Sequence, residues 1–309
     1  MALRFFPDDA RFDFVGNRFW AFAFDGFLAL AAVVSLFVNG LNLGIDFTGG
    51  VVVEVSQEAP IDIASLRAKI AALEFGDVNV QGVDNSMSAL IRVQPRDDAG
   101  GDQTAAAARM KESLGEGFTF NKVDVVGPKV SNELFTSGIL ATVLAVLMIA
   151  VYVAFRFEWQ FGIAAVLSTG HDVLMGVGLF SILQLDFNLT SVAALLLLAG
   201  YSINDTVVVF DRIRENRRKF KSIGMPQLIN ESVNTTLGRT VMTSAATAVS
   251  VLPLLFFGGE VLFGFAACIL WGIAIGTYSS IFVAGAILLY LPAISAGPSP
   301  DTKSAAAPG

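Results

Sequence analysis

Six apolar stretches decide what this chain can fold into: Phe19–Val38, Leu134–Phe155, Phe161–Leu183, Leu189–Phe210, Thr240–Phe257 and Val261–Leu291. Together they occupy 136 of the 309 residues. At about 1.5 Å of rise per residue, a stretch of this length is a helix fit to cross roughly 30 Å of hydrocarbon. With 54% hydrophobic and only 15% charged residues, a pair of soluble domains is excluded. The expected fold is an α-helical polytopic membrane protein with six transmembrane helices. The last stretch exceeds one crossing, so tilt, interfacial ends or a break near Gly272 or Gly276 is expected to absorb the excess.

Sparse chemistry narrows the function further. A single Cys (Cys268) forms no intrachain disulfide, and with a single His it assembles no zinc site of the usual kind. The run from Phe19 lacks a small-residue cleavage site and reads as a retained anchor.

The basic residues are unevenly placed. Arg4, Arg11 and Arg18 precede span one, Arg156 lies between spans two and three, and Arg212, Arg214, Arg217, Arg218, Lys219 and Lys221 follow span four. Lys303 lies in the tail, and the opposite turns, Gln184–Asn188 and Gly258–Glu260, contain no Lys or Arg. The positive-inside rule then predicts residues 1–18, the basic loop 211–238 and the tail 292–309 to be cytoplasmic, and 39–133 to be periplasmic. Asn42–Val130 carries 13 acidic and 8 basic residues. Nothing in this balance calls for a nucleic-acid partner.

Within 39–133 the hydrophobic period changes from block to block. Val51–Val55 reads as a strand, and Ile63, Leu66, Ile70 and Leu73 form a helical stripe. Strands follow over Asp77–Val83 and Met87–Val93, joined through Asp84-Asn85. A loop over Pro95–Asp102 then leads to a helix at Thr104–Leu114 and a strand at Phe118–Val126. The order β-α-β-β-α-β predicts a small α+β, ferredoxin-like domain. It holds no His, no Cys and no phosphate loop, so it reads as a docking or substrate-contacting module. Where span one passes into it, the run Gly44-Ile45-Asp46-Phe47-Thr48-Gly49-Gly50 has three glycines in seven residues, which by itself signals a turn.

Ionisable groups at membrane depth are costly and therefore functional candidates. Asp205 lies in the cytoplasmic third of span four, and Arg239 at the start of span five (239–257) is at similar depth. Tyr201 and Ser202 share the face of Asp205, with Asn204 and Thr206 beside it, and Gly200 would let another helix approach. Thr236, Thr240, Thr243, Thr247 and Ser250 form one polar stripe, either an interhelical seam or the wall of a hydrated path. Three readings stay open: a fixed Asp205–Arg239 pair, a proton-exchanging Asp205 with a switching Arg239, and local pairing of Asp205 with Arg212. His171-Asp172, mid-span three, reads as a relay or as an ordering pair, and Asp25 in span one stays unassigned because it lies near the cytoplasmic end.

Several segments together carry a resemblance: the Gly44–Gly50 run, Val126-Gly127-Pro128-Lys129-Val130, His171-Asp172, the long run Gly200-Tyr201-Ser202-Ile203-Asn204-Asp205-Thr206 on to Asn216, and Arg239-Thr240. Over about residues 15–292 the chain resembles the SecF family of bacterial protein export. The resemblance implies an inner-membrane subunit, half of a pseudo-symmetric RND-like bundle completed by SecD. It implies association with SecYEG and YajC, and proton-motive-force-driven late translocation of unfolded preproteins, with protons as coupling ion and no other cofactor. Membrane lipid surrounds such a subunit, and preprotein capture falls mostly to the partner. The family's functional Asp and Arg fall on Asp205 and Arg239, with Arg239's main partner in SecD. His171, Asp172, Tyr201, Ser202, Asn204, Thr243 and Thr247 become supporting polar residues, and Gly44, Asp46, Phe47, Gly49 and Gly50 a hinge or interface motif. Two alternatives remain: a scaffold subunit without proton coupling, and an RND-like small-molecule exporter. A hydrolytic enzyme is disfavoured, because the one His has no nucleophile beside it.

Overall fold

The computed structural model of the chain describes residues 11–73, 75–83, 87–95, 103–115 and 117–292. In order, the elements are α1 (Arg18–Val38), β1 (Asn42–Leu43), α2 (Ile45–Thr48), β2 (Gly50–Ser56), α3 (Ile63–Ala71), β3 (Gly76–Val83), β4 (Ser88–Pro95), α4 (Gln103–Leu114) and β5 (Thr119–Val126). There follow α5 (Pro128–Arg156), α6 (Trp159–Leu183), β6 (Asp186–Phe187), α7 (Leu189–Lys219), α8 (Met225–Phe257), α9 (Gly259–Ser279), a π-helical turn (Ser280–Ala284) and α10 (Gly285–Ile287). Six helices are long and apolar enough to span a membrane, as the apolar stretches predict, and the chain is a multi-pass membrane protein. The predicted turn at Asp84-Asn85, residues 96–102 of the predicted loop, the tail from 293 and residues 1–10 lie outside the described residues.

The described residues divide into two compact units: those of 11–40, 142–184 and 193–292 form a helix bundle, and those within 41–141 with 185–192 form a smaller unit.

In the smaller unit the four longer strands stand in spatial order β3-β4-β2-β5, with every neighbour antiparallel. Alternation explains its core. Val51, Val53 and Val55 of β2 and Ile91 and Val93 of β4 turn to the face covered by α3 and α4, where Leu66, Ile70, Met110 and Leu114 close over them. Asp62 caps α3 by accepting from the Ala64 and Ser65 amides at 3.0 and 3.3 Å. A second, two-residue ladder pairs β1 with β6 in parallel, bringing the 186–188 turn to this unit.

The bundle is built differently. α5 is apolar on every face: Leu144, Leu147, Met148, Val151 and Phe155 are all exposed on the chain's surface, as a lipid-facing helix requires. The spans on α6, α7 and α9 are the best buried, with glycines where helices meet. A Cβ on Gly178 would come within 2.4 Å of the Ala32 Cβ, so glycine there lets α1 and α6 approach closely. Phe157, between α5 and α6, clusters with Phe161 of α6 and Phe210 of α7, with the Arg156 and Arg214 guanidinium groups over the Phe157 ring.

Three features depart from the apolar-run reading. α7 continues past Phe210 to Lys219 and α8 begins at Met225, so only 220–224 of the predicted basic loop is a connection. The reason lies in Leu228, Ile229, Val233 and Leu237, whose helical spacing buries them in the bundle core while polar residues between them break the apolar run. α9 passes through Gly272 and Gly276 without a break, and the irregularity falls at the π-turn Ser280–Ala284 instead. Pro253 lies within α8 close to its end.

Candidate functional site

The bundle interior holds a chain of polar groups, built on α6. The sequence reads His171-Asp172, and successive helical residues point about 100° apart. Asp172 nevertheless reaches back to the ring, with its Oδ1 2.9 Å from His171 Nδ1. Asp172 Oδ2 accepts from the Ser279 hydroxyl at 2.7 Å and from the Ser202 hydroxyl. Ser168 donates to Ser279 at 3.4 Å. On the other side of the ring, His171 Nε2 lies 3.1 Å from Asp25 Oδ1, in contact but off the line of a hydrogen bond. Side chains from α1, α7 and α9 thus converge on the His171–Asp172 pair of α6.

Asp205 lies one helical turn beyond Ser202 on α7 and is 2% exposed. Its Oδ2 has no hydrogen-bond partner, an uncommon state for a buried carboxyl oxygen. The neighbours that act on this carboxyl, Arg239 by charge and Thr243 by its hydroxyl, both come from α8. Among the described residues Asp205 and Arg239 make no direct ion pair, and Arg239 is exposed on the surface of the chain. The fixed buried pair, open as a sequence reading, is therefore absent from this conformation. Pairing of Asp205 with Arg212 is absent too, because Arg212 donates to Glu215 at 2.7 Å and to Thr235 at 3.1 Å.

The other expected residues divide. The Tyr201 hydroxyl donates to Ser244 at 3.1 Å, and Ser244 shares a 2.6 Å hydrogen bond with Thr277, linking α7, α8 and α9. Asn204 and Gly200, four residues apart, are both exposed, and among the described residues no neighbouring helix comes within 4 Å of where a Gly200 Cβ would stand. The α8 polar stripe is mostly turned inward on its own backbone: Thr236, Thr243, Thr247 and Ser250 donate to carbonyls three or four residues earlier. The buried Thr240 hydroxyl alone in that stripe lacks a partner. Sequence reasoning missed Asp25, Ser279 and Ser244. Asp25, unassigned from sequence because it lies near the cytoplasmic end of its span, is 7% exposed and faces the ring. Its helical position opposite the lipid-facing Phe24 and Phe27 was the available signal.

In the smaller unit the glycine motif forms a packed joint. The Gly44 amide donates to the Phe187 carbonyl at 2.8 Å, and the Asp46 carboxylate accepts from the Leu189 amide at 3.0 Å. Phe47 packs between the rings of Phe135 and Phe187. Gly49 and Gly50 have φ of 73° and 132°, and a Gly50 Cβ would fall 2.4 Å from the Val93 carbonyl oxygen, so only glycine fits. Nearby, Arg92 of β4 is buried and forks onto the Asp186 carboxylate, which also accepts from Asn42 Nδ2 at 2.8 Å. This Arg92–Asp186–Asn42 cluster was not anticipated, because its members lie in three separated segments.

A six-helix membrane bundle with the ionisable Asp25, Asp172 and Asp205 buried in it, joined in sequence to a small four-stranded domain through a double-glycine turn, defines a class of membrane-transport subunit. Residues 106–293 match the family described as protein export membrane protein SecD/SecF, C-terminal, and residues 34–56 match the SecD/SecF GG motif. The chain belongs to this SecD/SecF protein-export family. It is 41% identical to the protein translocase subunit SecF of Cereibacter sphaeroides, over 98% of this chain and 96% of that one. With the SecF of Vibrio alginolyticus the identity is 41%, over 88% and 87%. The crystal structure of SecDF from Thermus thermophilus, described as translocon-associated, superposes with a TM-score of 0.81 at 37% identity, covering 92% of this chain and 39% of that one.

Proposed function

We propose that this chain is the SecF-type half of a proton-driven assembly that promotes late translocation of unfolded preproteins through the SecYEG channel. SecD is its partner, and YajC an additional one. The partnership is supported by longer relatives called SecDF, such as that of Brucella abortus, of which this chain spans 35% at 41% identity. In this reading the membrane is the bacterial inner membrane, with both termini cytoplasmic and residues 39–133 periplasmic. The crowding of Arg156, Arg214, Arg218 and Lys219 at one end of the bundle supports that orientation.

The observation that carries the coupling reading is the mismatch at Asp205. A buried carboxyl oxygen without a partner, beside an arginine that stands exposed, leaves Asp205 free to exchange a proton and Arg239 free to answer a charge on the partner. In a proton-coupled cycle, each protonation of Asp205 would remove the charge that holds Arg239 nearby. The test is gradient-driven preprotein translocation and proton flux in vesicles holding the chain with SecD and SecYEG. Asp205→Asn and Arg239→Met are expected to lower both at least tenfold while still co-purifying with SecD. Wild-type flux in either variant overturns the coupling role, and loss of co-purification instead favours the scaffold reading.

A further inference from the structure

Two carboxylates flank one imidazole inside the bundle, and counting charges constrains what that cluster holds. Asp25 and Asp172 are 7% and 0% exposed. The groups facing the ring are Asp25 from α1 and Asp172 from α6, and the Ser202 hydroxyl from α7 and the Ser279 hydroxyl from α9 reach Asp172. Tyr278 of α9 also lies near Asp25, and its hydroxyl is committed to the Ala21 carbonyl at 2.9 Å. Among the described residues, no Lys or Arg forms an ion pair with either carboxylate.

With a neutral ring and both carboxylates ionised, the site would bury two uncompensated negative charges, which a membrane interior penalises heavily. A neutral imidazole also has one N–H for two acidic neighbours, so its bare nitrogen would turn a lone pair on a carboxylate oxygen. One added proton relieves both conflicts. The ring then presents an N–H rather than a lone pair to each carboxylate, and the single remaining negative charge is solvated at Asp172 Oδ2 by the Ser202 and Ser279 hydroxyls.

We propose that Asp25, His171 and Asp172 form a resident proton-binding site in the bundle interior, separate from Asp205 and linked to its helix face through Ser202. Ser202 precedes Asp205 by three residues, about 4.5 Å along the α7 axis. Occupancy of this site stands independently of the export reading. Its participation in transport rests on that reading.

Because His171 is the chain's single histidine, labelling histidine with nitrogen-15 reports one imidazole. In the full chain reconstituted with SecD in lipid nanodiscs, the spectrum at neutral pH is expected to show both ring nitrogens protonated. Asp25→Asn is expected to convert the ring to a form with one protonated nitrogen, and Asp25→Glu to keep two. A wild-type ring with one proton overturns the proposal. So does a doubly protonated ring that Asp25→Asn leaves unchanged. Should Asp25→Asn fail to assemble, the wild-type spectrum alone decides. Normal proton flux in Asp205→Asn would count against the coupling role of Asp205 and would leave this spectrum untouched.

Discussion

In the small unit Val51, Val53, Val55, Ile70, Ile91 and Met110 are buried, and the charged side chains of the same strands and helices lie mostly toward solvent. In the bundle the pattern is reversed along much of its length. Asp25, Ser168, Asp172, Ser202, Asp205 and Thr206 are buried, while Trp20, Leu147, Met148 and Phe155 are exposed. The solvent accounts for the difference. Water pays nothing to solvate a surface charge and rewards apolar burial. Lipid tails reward an apolar surface and leave polar groups no partners outside the protein, so those that function requires are gathered within.

The sharpest test pairs one truncation in each region. Ile91→Ala, at a 0% exposed position under α3 and α4, is expected to destabilise the small unit by about 2–5 kcal/mol. Leu147→Ala, half exposed on α5, is expected to stay within about 0.5 kcal/mol. Denaturant-dependent proteolysis of the full chain in micelles reads both. Equal losses would mean that α5 is packed against protein rather than lipid.

Arg92→Met should rank next. It strips the buried guanidinium from Asp186, whose side chain is a third exposed, so the cost is about 1–3 kcal/mol rather than the full penalty of a buried charge. Faster cleavage near 185–188, with the β2–β4 core still protected, is the expected signature. Unchanged cleavage would make the cluster incidental.

The smallest effect concerns Asp13, where the Gly16 amide, and then the Asn230 side chain, hold the carboxyl below its usual 3.8. A depressed value means this contribution is complete above 3.8 and is lost as pH falls through the native value. Hydrogen exchange at Gly16, corrected for intrinsic rates, should therefore show protection that fades only on acidification. In Asp13→Asn, whose side-chain carbonyl still accepts from the Gly16 amide but does not titrate, the protection should be independent of pH. Protection in wild type that persists well below the native value would remove Asp13 from the docking of this segment.

Much of this organisation was legible in the residues. Long apolar runs marked α1 and α6 to within two residues at either end, and Val51–Val55 marked β2 to within a residue at either end. The first half of α8 was not legible that way, since Asn230, Ser232 and Asn234 interrupt the run around Leu228 and Val233, and only helical periodicity identifies it. At the candidate site, Asp205, Arg239, His171 and Asp172 could be singled out from depth alone. Depth could not tell that Arg239 stands exposed while Asp205 is enclosed, because the two lie at similar depth on neighbouring helices and differ in the direction they face.

The sequence by itself determined that the chain has six helices fit to cross a membrane, that a segment of strands and short helices separates the first from the second, and which ionisable groups lie within the apolar runs. Span length and side-chain period are local properties, readable without knowing what touches what. Tertiary structure alone decided that Asp25 meets His171, that Ser202 and Ser279 converge on Asp172, and that Arg92 reaches Asp186. Each of these contacts joins residues far apart in the chain, and packing rather than propensity sets which helix faces come together.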